Sequence, residues 1–263
     1  MRIDAGTRAV VTGASKGIGR ALAEALAARG AAVGLVARSA DELAELAAAL
    51  GPRAVALPCD VGDAAAVTAA VERFVAEAGG LELAIANAGI AHYGRFEDQD
   101  PELHERMTRV NWLGTVNTAR AALPHLRAGG GQLVIVSSGA GLRAFPEAAV
   151  YGATKAAQRA FAEALRHELA GSGVSVTTVF PGEIVSSLHE HEKATMPAWY
   201  HGDARAAPAS ELAAAVLRGV EGDRRSVAYP REVRLLALNA VAPGLVDRLL
   251  RRLRGDSVAP RRR

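Results

Sequence analysis

The chain lacks the sequence features that mark secreted and membrane-spanning proteins. It contains one cysteine, Cys59, which has no partner for a disulfide and is expected to be a small core residue. Its first six residues do not have the charged and then apolar pattern of a secretory leader. No apolar run reaches the length of a membrane span. Together these absences predict a cytoplasmic protein.

A large excess of one charge sign is also missing. The net charge is +3, and basic residues occur throughout the chain. This balance does not predict nucleic-acid binding, although the isoelectric point near 9.3 favours acidic or phosphorylated ligands. Half of the 263 residues are apolar, so the chain has enough material for a sizeable core.

The pair Tyr151 and Lys155 carries the clearest chemical signal. Residues four apart are neighbours on a helix surface, and the apolar spacing after Tyr151 is helical, so both side chains are expected on one helix face. A nearby ammonium favours the phenolate form of a tyrosine, whose ordinary pKa is about 10. The pair therefore predicts an acid or base that works near neutral pH. A surface tyrosine and lysine at a helix start is the simpler alternative.

Two other stretches are expected to place ligand-binding groups near this pair. The apolar run 131–137 predicts a buried strand, and Ser138 follows at its carboxyl end, where open α/β sheets bind ligands. A strand at 7–12 leads through Gly13-Ala-Ser-Lys-Gly17-Ile-Gly19 into a helix. This arrangement offers a pyrophosphate the N–H groups and the positive dipole end of a helix N-terminus.

These motifs, in this order, resemble those of the short-chain dehydrogenase/reductase family. The resemblance also includes Asn87-Ala-Gly89 and Pro181-Gly182, and it extends over roughly the first 230 residues. It implies a catalytic set made of Asn111, Ser138, Tyr151 and Lys155. In this set Tyr151 exchanges the substrate proton, and Lys155 lowers the pKa of Tyr151 and holds the nicotinamide ribose. Ser138 hydrogen-bonds the substrate oxygen, and the backbone carbonyl of Asn111 binds a water of a proton relay.

The resemblance implies a nicotinamide cofactor as well. The expected binding residues are Gly13, Ser15, Lys16, Gly17, Ile18, Gly19, Arg38, Asp60, Val61, Asn87, Gly89, Tyr151, Lys155, Pro181, Gly182 and Ile184. Among them, Asp60 and Val61 are expected to contact the adenine, while Asn87 and Gly89 stabilise the central sheet and line the cofactor cleft. The family often has a threonine shortly after Pro-Gly to hold the carboxamide, and Ser186 is the candidate replacement here.

The end of the second predicted strand, 32–37, suggests which cofactor is used. Many NAD enzymes carry an acidic residue there for the ribose 2′-hydroxyl, whereas this chain has Arg38. A guanidinium favours planar anions, so Arg38 and Lys16 are expected to bind the 2′-phosphate of NADP, the cofactor predicted in preference to NAD. A solvated arginine at the start of a helix is the alternative.

Strands and helices alternate along the chain without a long linker or an internal repeat. Further strands are expected at 53–58, 81–86, 174–180 and 226–229, and further helices at 63–78 and 101–126. The alternation predicts an α/β fold with a single Rossmann-type doubly wound parallel sheet flanked by helices. Residues 1–230 would form the catalytic domain, and residues 231–263 a C-terminal amphipathic helical extension with a basic tail.

Residues 183–207 are interpreted as a substrate lid within the catalytic domain. The apolar character of this stretch predicts an apolar substrate of more than a few carbons, and it is carried by Leu188, Met196, Trp199 and Tyr200. His189 and His191 have the spacing of two metal ligands, but a third ligand is not evident and the implied mechanism needs no metal. We therefore predict no metal site.

Residues 231–254 are expected to form two helices separated at Pro243-Gly244. The second helix is basic and amphipathic, so its leucine face needs burial. Three alternatives could bury this face: a second copy of the chain in a homodimer or homotetramer, an anionic membrane surface, or the lid. The second copy is the favoured alternative.

The reaction that the resemblance implies is hydride transfer between NADP(H) and a secondary alcohol or its carbonyl counterpart. One alternative is a non-catalytic NADP-binding sensor or scaffold, against which the intact catalytic set argues. Another is an epimerase or dehydratase acting on a nucleotide sugar. Such enzymes also use Tyr-x-x-x-Lys, but they are usually longer and have a different glycine spacing.

Overall fold

The structure, a computed structural model, describes residues 1–185 and 206–254. Within these ranges, seven strands form one sheet. They are β1 (Arg8–Thr12), β2 (Ala32–Ala37), β3 (Ala54–Pro58), β4 (Leu83–Ala86), β5 (Gly131–Val136), β6 (Val174–Pro181) and β7 (Ser226–Tyr229). Their bounds agree with the predicted ones to within two residues, the usual uncertainty of strand and helix ends.

All the strand pairs are parallel, and the strand order is β3-β2-β1-β4-β5-β6-β7. The order reverses between β1 and β4, which places a crevice where the chain leaves their carboxyl ends. The predicted doubly wound parallel sheet is confirmed.

Helices cover both faces of this sheet. They are α1 (Gly17–Ala27), α2 (Ala40–Leu50), α3 (Ala64–Ala78), α4 (Pro101–Met107), α5 (Gly114–Gly129), α6 (Ala149–Glu168), α7 (Ala209–Glu221) and α8 (Pro243–Arg254). Helices α1, α2 and α7 bury their leucines and valines in one core, and α3, α5 and α6 bury theirs in a second core on the opposite face. Because both faces are covered, the central strands are apolar along nearly their whole length.

The helix predicted over 101–126 is interrupted by a wider turn. Between α4 and α5, Thr108–Leu113 forms a π-helix that contains the fully buried Asn111. Short π-helical stretches inside α-helices frequently occur at functional sites, because they change the direction of the side chains and free backbone groups. The predicted single helix is therefore corrected to three consecutive helical pieces.

The C-terminal stretch also differs from its prediction. Arg231–Ala240 is a 3-10 helix and not an α-helix, and α8 begins at Pro243 itself. Proline is well suited to the first position of a helix, since its missing N–H would have had no acceptor there. The predicted separation near Pro243 is thus present, with the proline starting the second piece.

Most of the predicted lid lies outside the described residues, including Ser186 and the histidine pair. Its two ends are described, and they meet. Ile184 pairs with Ala207 in a parallel bridge, in which Val185 N donates to Ala207 O at 2.9 Å and Ala207 N donates to Glu183 O at 2.9 Å. The segment therefore leaves and returns at one place beside the carboxyl end of β6.

Candidate active site

A cavity of about 900 Å³ lies along the carboxyl ends of the strands. Ser138 and all the predicted cofactor-binding residues except Gly19 line it, whereas Asn111 does not. The chain segments that follow β1 to β6 all reach this edge of the sheet, because parallel strands end on the same side. The topology therefore brings together side chains that are far apart in the sequence.

Tyr151, Lys155 and Ser138 meet at the inner end of the cavity. Tyr151 and Lys155 lie one turn apart in α6, with the Lys155 ammonium 5.8 Å from the centre of the Tyr151 ring. The Tyr151 hydroxyl hydrogen-bonds Ser138, whose hydroxyl also accepts from Ala140 N at 3.1 Å. Lys155 Nζ donates to Val136 O at 3.1 Å, which ties α6 to the end of β5.

Burial determines the protonation of this group. It raises the pKa of Tyr151, and the Ser138 hydrogen bond lowers that pKa by a smaller amount. Burial lowers the pKa of Lys155 to about 8. The expected depression of the Tyr151 pKa by Lys155 is not found, because burial disfavours the phenolate and its effect on the pKa is the larger one. At neutral pH the site therefore holds a protonated phenol beside a largely charged lysine.

Asn111 is fully buried outside the cavity wall and is held by several hydrogen bonds. Its side-chain oxygen accepts from Ile90 N at 2.8 Å, and its amide group donates to Ile90 O at 2.9 Å and to Thr154 Oγ1 at 3.1 Å. The backbone carbonyl of Asn111 accepts from Gln158 Nε2 and from Thr115 Oγ1, both at 2.8 Å. A relay water on this carbonyl would have to displace one of these donors, so the predicted relay role stays a prediction.

The turn after β1 presents an uncapped helix N-terminus to the cavity. No side chain caps α1 and no acidic residue lies in its first turn. At α3, by contrast, the Asp63 side chain accepts from Ala65 N at 2.9 Å and Ala66 N at 3.0 Å. The first N–H groups of α1 are therefore positioned for an anionic ligand.

Two glycines of this region lie close to other groups, and at Gly19 the space requires glycine. A Cβ on Gly19 would lie 2.0 Å from the carbonyl oxygen of Gly13, so glycine lets α1 approach β1 closely. A Cβ on Gly89 would come within 3.3 Å of Asn111 Oδ1 and 3.4 Å of Lys155 Nζ. Gly19 thus allows α1 to pack closely and does not itself line the cavity. Gly89 leaves room beside Lys155.

The predicted Asn87 joins the two central strands. Its side-chain amide donates to Thr12 O at 2.9 Å, and its backbone N–H donates to Thr12 Oγ1 at 3.0 Å. Pro181 ends β6, and Gly182 N donates to Tyr229 O at 2.8 Å. These residues hold the floor of the cavity in shape.

The outer end of the cavity is rich in exposed charges. Lys16 Nζ lies 2.7 Å from Glu42 Oε1 at the start of α2, and this hydrogen bond lowers the pKa of Glu42. Asp60 accepts from Gly62 N at 2.8 Å and from Arg109 at 2.7 Å. The Gly62 bond and, to a lesser degree, Arg109 lower the pKa of Asp60, and Arg38 contributes a smaller part.

Some residues that line the cavity were not predicted. Glu42 was missed because its contact with Lys16 joins two βα units. Five others, Ile90, Tyr93, Phe145, Val233 and Leu236, form an apolar rim near Tyr151, and the charged side chains of Arg106, Glu183 and Glu232 line the cavity as well. Val233 and Leu236 are three residues apart, a spacing that marks one face of a 3-10 helix and was available in the sequence.

Cys59 lines the cavity as well and is only partly buried. Burial, with smaller contributions from the charges of Asp60 and Asp63, raises the pKa of its thiol to about 11. The thiol therefore stays protonated and is a poor nucleophile. Cys59, which was expected to be a core residue, therefore lies at the boundary of the core.

The described part of the chain contains neither a metal-binding cluster nor a membrane-spanning helix. No cluster of three or more His, Cys, Asp or Glu side chains suited to a metal ion occurs in residues 1–185 and 206–254. The helices described there are all too short or too polar to cross a membrane.

Comparisons with known proteins agree with this geometry. A family profile described as short chain dehydrogenase matches residues 7–197. Versicolorin reductase stcU of Emericella nidulans is 36% identical over 191 residues, which cover 71% of this chain and 72% of that protein. Glycine betaine reductase ATRR of the same organism is 39% identical over 187 residues, or 70% of this chain, but the chain spans only 15% of that protein.

Solved structures are similar over almost the whole chain. A short-chain dehydrogenase from Burkholderia cenocepacia in complex with NADP is 33% identical with a TM-score of 0.81, and the match covers 95% of this chain and 99% of that one. A short-chain dehydrogenase/reductase from Burkholderia phymatum in complex with NAD has a TM-score of 0.83 at 23% identity, with 94% and 96% covered, which supports the fold. Both bound cofactors are nicotinamide dinucleotides.

Proposed function

Because the chain belongs to the short chain dehydrogenase family, we propose that it transfers hydride between NADP(H) and a secondary alcohol or its carbonyl counterpart. The observation that carries this proposal is the buried contact of Tyr151, Ser138 and Lys155 at the inner end of a cavity large enough for a dinucleotide and a substrate. A scaffold or sensor would not need a phenol whose proton is held out of water beside a buried ammonium.

The residues present fit a nicotinamide dinucleotide. The uncapped N-terminus of α1 suits its pyrophosphate, and Gly89 leaves space beside Lys155 for a ribose. Lys155 uses one of its three N–H donors on Val136 O, which leaves two for ribose hydroxyls. When bound, the nicotinamide gives or accepts the hydride.

The protein groups move the proton and orient the reacting oxygen. In the reducing direction, the protonated Tyr151 donates its proton to the substrate oxygen as that oxygen gains negative charge. The Ser138 hydroxyl donates a hydrogen bond to the same oxygen and keeps it near the phenol. The Lys155 ammonium then stabilises the phenolate that is left.

We propose NADP as the preferred cofactor because of the charged residues at the outer end of the cavity. Arg38 and Lys16 both line the cavity there, and β2 is not followed by the acidic residue that binds a 2′-hydroxyl in many NAD enzymes. Glu42 opposes this preference, because its carboxylate holds Lys16. Binding a 2′-phosphate would draw Lys16 away from Glu42, and Arg38 would supply the planar donor group.

The rim near Tyr151 supports an apolar substrate. Ile90, Phe145, Val233 and Leu236 line it with apolar side chains, and Tyr93 packs its ring 6.0 Å from that of Tyr151. A substrate with an apolar body and one reacting oxygen would bury the body there and place its oxygen at Ser138.

We further propose a homodimer or homotetramer located in the cytoplasm. Leu113 is 45% exposed, and the neighbouring Trp112 packs edge-on against Phe161 with ring centres 5.4 Å apart, so the π-helix 108–113 and α6 carry apolar surface for a second copy. Light scattering of the purified protein tests the assembly, and fractionation of expressing cells tests the location. A monomeric mass would contradict the first proposal.

The direct test of the reaction is a screen of secondary alcohols with NADP⁺ and NAD⁺, and of ketones and aldehydes with the reduced forms. The readout is the change in nicotinamide absorbance, and Tyr151→Phe serves as the inactive control. We expect turnover that depends on Tyr151. If the protein binds the cofactor by calorimetry and turns over none of the panel, the sensor alternative replaces this proposal.

A further inference from the structure

The small net charge of the chain conceals an uneven distribution. Residues 231–263 contain nine arginines and three acidic residues, a net charge of +6, whereas the whole chain carries +3. Residues 1–230 therefore carry a net charge of −3. The basic excess of this protein is confined to its C-terminal eighth, the same stretch that contains a dense set of leucines.

The 3-10 helix Arg231–Ala240 sorts these residues into three ridges. Side chains three apart are aligned in a 3-10 helix, so each third residue belongs to one ridge. The first ridge, Val233 and Leu236, is partly buried and lines the cavity. The second ridge begins with the exposed Glu232 and is otherwise apolar, since Leu235, Leu238 and the following Val241 are exposed by 56%, 56% and 86%.

The third ridge is basic. It begins with Arg231 and Arg234, both exposed, and continues with alanines. The inward ridge is anchored at the sheet, since Leu236 lies against Gly139 and Val233 against Gly182. The segment thus packs on the protein with one ridge and turns an apolar and a basic ridge outward.

Helix α8 continues this outward surface. Leu245 is 64% exposed, whereas Val246 is buried. Its acidic residue, Asp247, pairs with Arg143 at 2.6 Å, so its charge is neutralised locally. Arg248 and Arg252 are exposed. Over the described residues of this segment, exposed leucines and arginines thus occur together on both helices.

We propose that the segment 231–254 docks the protein on an anionic lipid surface. Exposed leucines beside arginines are the pattern of helices that lie in a membrane interface, where the apolar side chains enter the acyl boundary and the guanidiniums bind lipid headgroup anions. A peripheral contact of this kind does not require a membrane-spanning helix.

The charge distribution argues against a second copy of the chain as the occupant. In a two-fold symmetric contact the same surface lies on both subunits, so the four exposed arginines, Arg231, Arg234, Arg248 and Arg252, would face a surface that is itself basic. Within residues 231–254 only Glu232 and Asp247 are acidic, and Asp247 is already paired with Arg143. An anionic bilayer supplies opposite charge for the basic ridge and an apolar layer for the apolar ridge.

The docking would also orient the cavity toward the bilayer. This step of the inference rests on the proposed function. The helix that carries exposed Leu235 and Leu238 also carries Val233 and Leu236 in the cavity wall. A bilayer under this helix would lie against the apolar rim, so a membrane-dissolved alcohol or ketone would have a short path to Tyr151.

Vesicle co-sedimentation tests the docking without turnover. The probes are vesicles of phosphatidylglycerol with phosphatidylcholine and vesicles of phosphatidylcholine alone. We expect the wild-type protein to bind the anionic vesicles, to bind the zwitterionic ones at least tenfold more weakly, and to be released by high salt. Absent binding, or equal binding to both compositions, overturns the proposal whether or not the protein is an active oxidoreductase.

Two variants localise the surface, and two controls match them. Leu235→Glu with Leu238→Glu should abolish anionic binding, and Arg234→Gln with Arg248→Gln should weaken it roughly fivefold per arginine removed. The controls are Phe96→Glu, which changes an apolar side chain that is 61% exposed elsewhere, and Arg73→Gln on the exposed face of α3. Both controls should bind like the wild type.

Light scattering separates the docking from self-association. The four changed residues are exposed, so the variants should keep their thermal unfolding midpoint and their mass. A smaller assembly for Leu235→Glu with Leu238→Glu would show that a second copy covers this face and would overturn the proposal. Wild-type binding retained by both double variants would do the same.

Discussion

The inner and outer ends of the cavity hold their charged groups in opposite ways. At the inner end Tyr151 and Lys155 are 6% and 4% exposed, and burial is the largest influence on the pKa of each. At the outer end Lys16 and Glu42 form an ion pair whose side chains are 58% and 35% exposed. Desolvation therefore determines protonation at the inner end, whereas at the outer end the charges are held in exposed ion pairs.

This difference has a physical consequence for mutation. Removing a buried charge changes stability and chemistry together, since desolvation of an ion costs several kcal/mol. Exposed pairs contribute about 0–1 kcal/mol, so the outer end can change partners at little cost to the fold. Each of the following changes tests one end against the other.

The largest effect is expected at Tyr151. Tyr151→Phe removes the exchangeable proton while the ring still packs, so kcat should fall by roughly 10²- to 10⁴-fold, with the cofactor Kd nearly unchanged. Steady-state kinetics and calorimetry measure the two quantities. Tyr93→Phe, which removes a hydroxyl from the same rim, is the matched control and should lose far less. Retained turnover in Tyr151→Phe would refute the mechanism.

The second effect concerns stability and its dependence on pH. The pKa of Lys155 is about 8 in the folded protein, whereas the ordinary pKa of a lysine is 10.5. Between these two pH values the unfolded chain binds the proton and the folded protein does not. Wild-type stability should therefore rise with pH through this window as far as Lys155 determines it. At pH 7 the burial of the Lys155 cation lowers the free energy of unfolding by roughly 3 kcal/mol. Its hydrogen bond to Val136 O offsets about 1 kcal/mol of this loss.

Lys155→Met should accordingly raise the free energy of unfolding at pH 7 by about 2 kcal/mol while activity is lost. The gain over the wild type should shrink as the pH rises from about 8 to about 10.5. Urea unfolding at several pH values measures it. Lys16→Met, at the exposed end, should change stability little at any pH. A constant difference between Lys155→Met and the wild type would contradict the account of burial.

The third effect is on cofactor choice. Arg38→Asp should lower kcat/KM for NADP by roughly 10- to 100-fold, the worth of one charge-assisted hydrogen bond, and raise it for NAD. Arg20→Asp, an exposed arginine of α1 paired with Glu24, is the control and should leave the ratio unchanged. Equal wild-type values for the two cofactors, or an NAD preference that Arg38→Asp leaves unaltered, would show that no 2′-phosphate is bound there.

The smallest effect is expected at Glu42. The Lys16 hydrogen bond lowers the pKa of Glu42, so its carboxylate is ionised at neutral pH and competes with a phosphate for Lys16. Glu42→Gln should tighten NADP binding by roughly two- to fivefold and leave NAD binding unchanged. The control is Glu45→Gln, an exposed residue of the same helix. Weaker NADP binding would indicate that Glu42 instead holds Lys16 in the position that binds phosphate.

Much of this arrangement could be predicted because it depends on local patterns. The strands are short apolar runs followed by glycine or polar residues, and their bounds were found to within two residues. The uncapped turn before α1 and the one-turn spacing of Tyr151 and Lys155 are likewise properties of neighbouring residues. Such features follow from backbone geometry and side-chain period alone.

The errors have one cause in common, which is contact between distant residues. The ammonium of Lys155 suggested a lowered Tyr151 pKa, but the packing around the phenol removes water and raises it. The hydrogen bond from Gln158 to the backbone carbonyl of Asn111, 47 residues away, was likewise not evident from the sequence, and the relay role of Asn111 stays a prediction. The 3-10 form of 231–240 accompanies the packing of Val233 and Leu236 against Gly182 and Gly139, which are contacts between residues far apart in the chain.

The amino-acid sequence by itself determined the fold class, the family motifs and the residues that could perform the chemistry, because each is written in short-range spacing and apolar period. Only the tertiary structure decided which of those residues are dehydrated, which donors they already hold and which side of the C-terminal helix faces out. These properties depend on what surrounds a group in space. Water exclusion and hydrogen-bond partners at this site come from several chain segments at once, which no single stretch of sequence specifies.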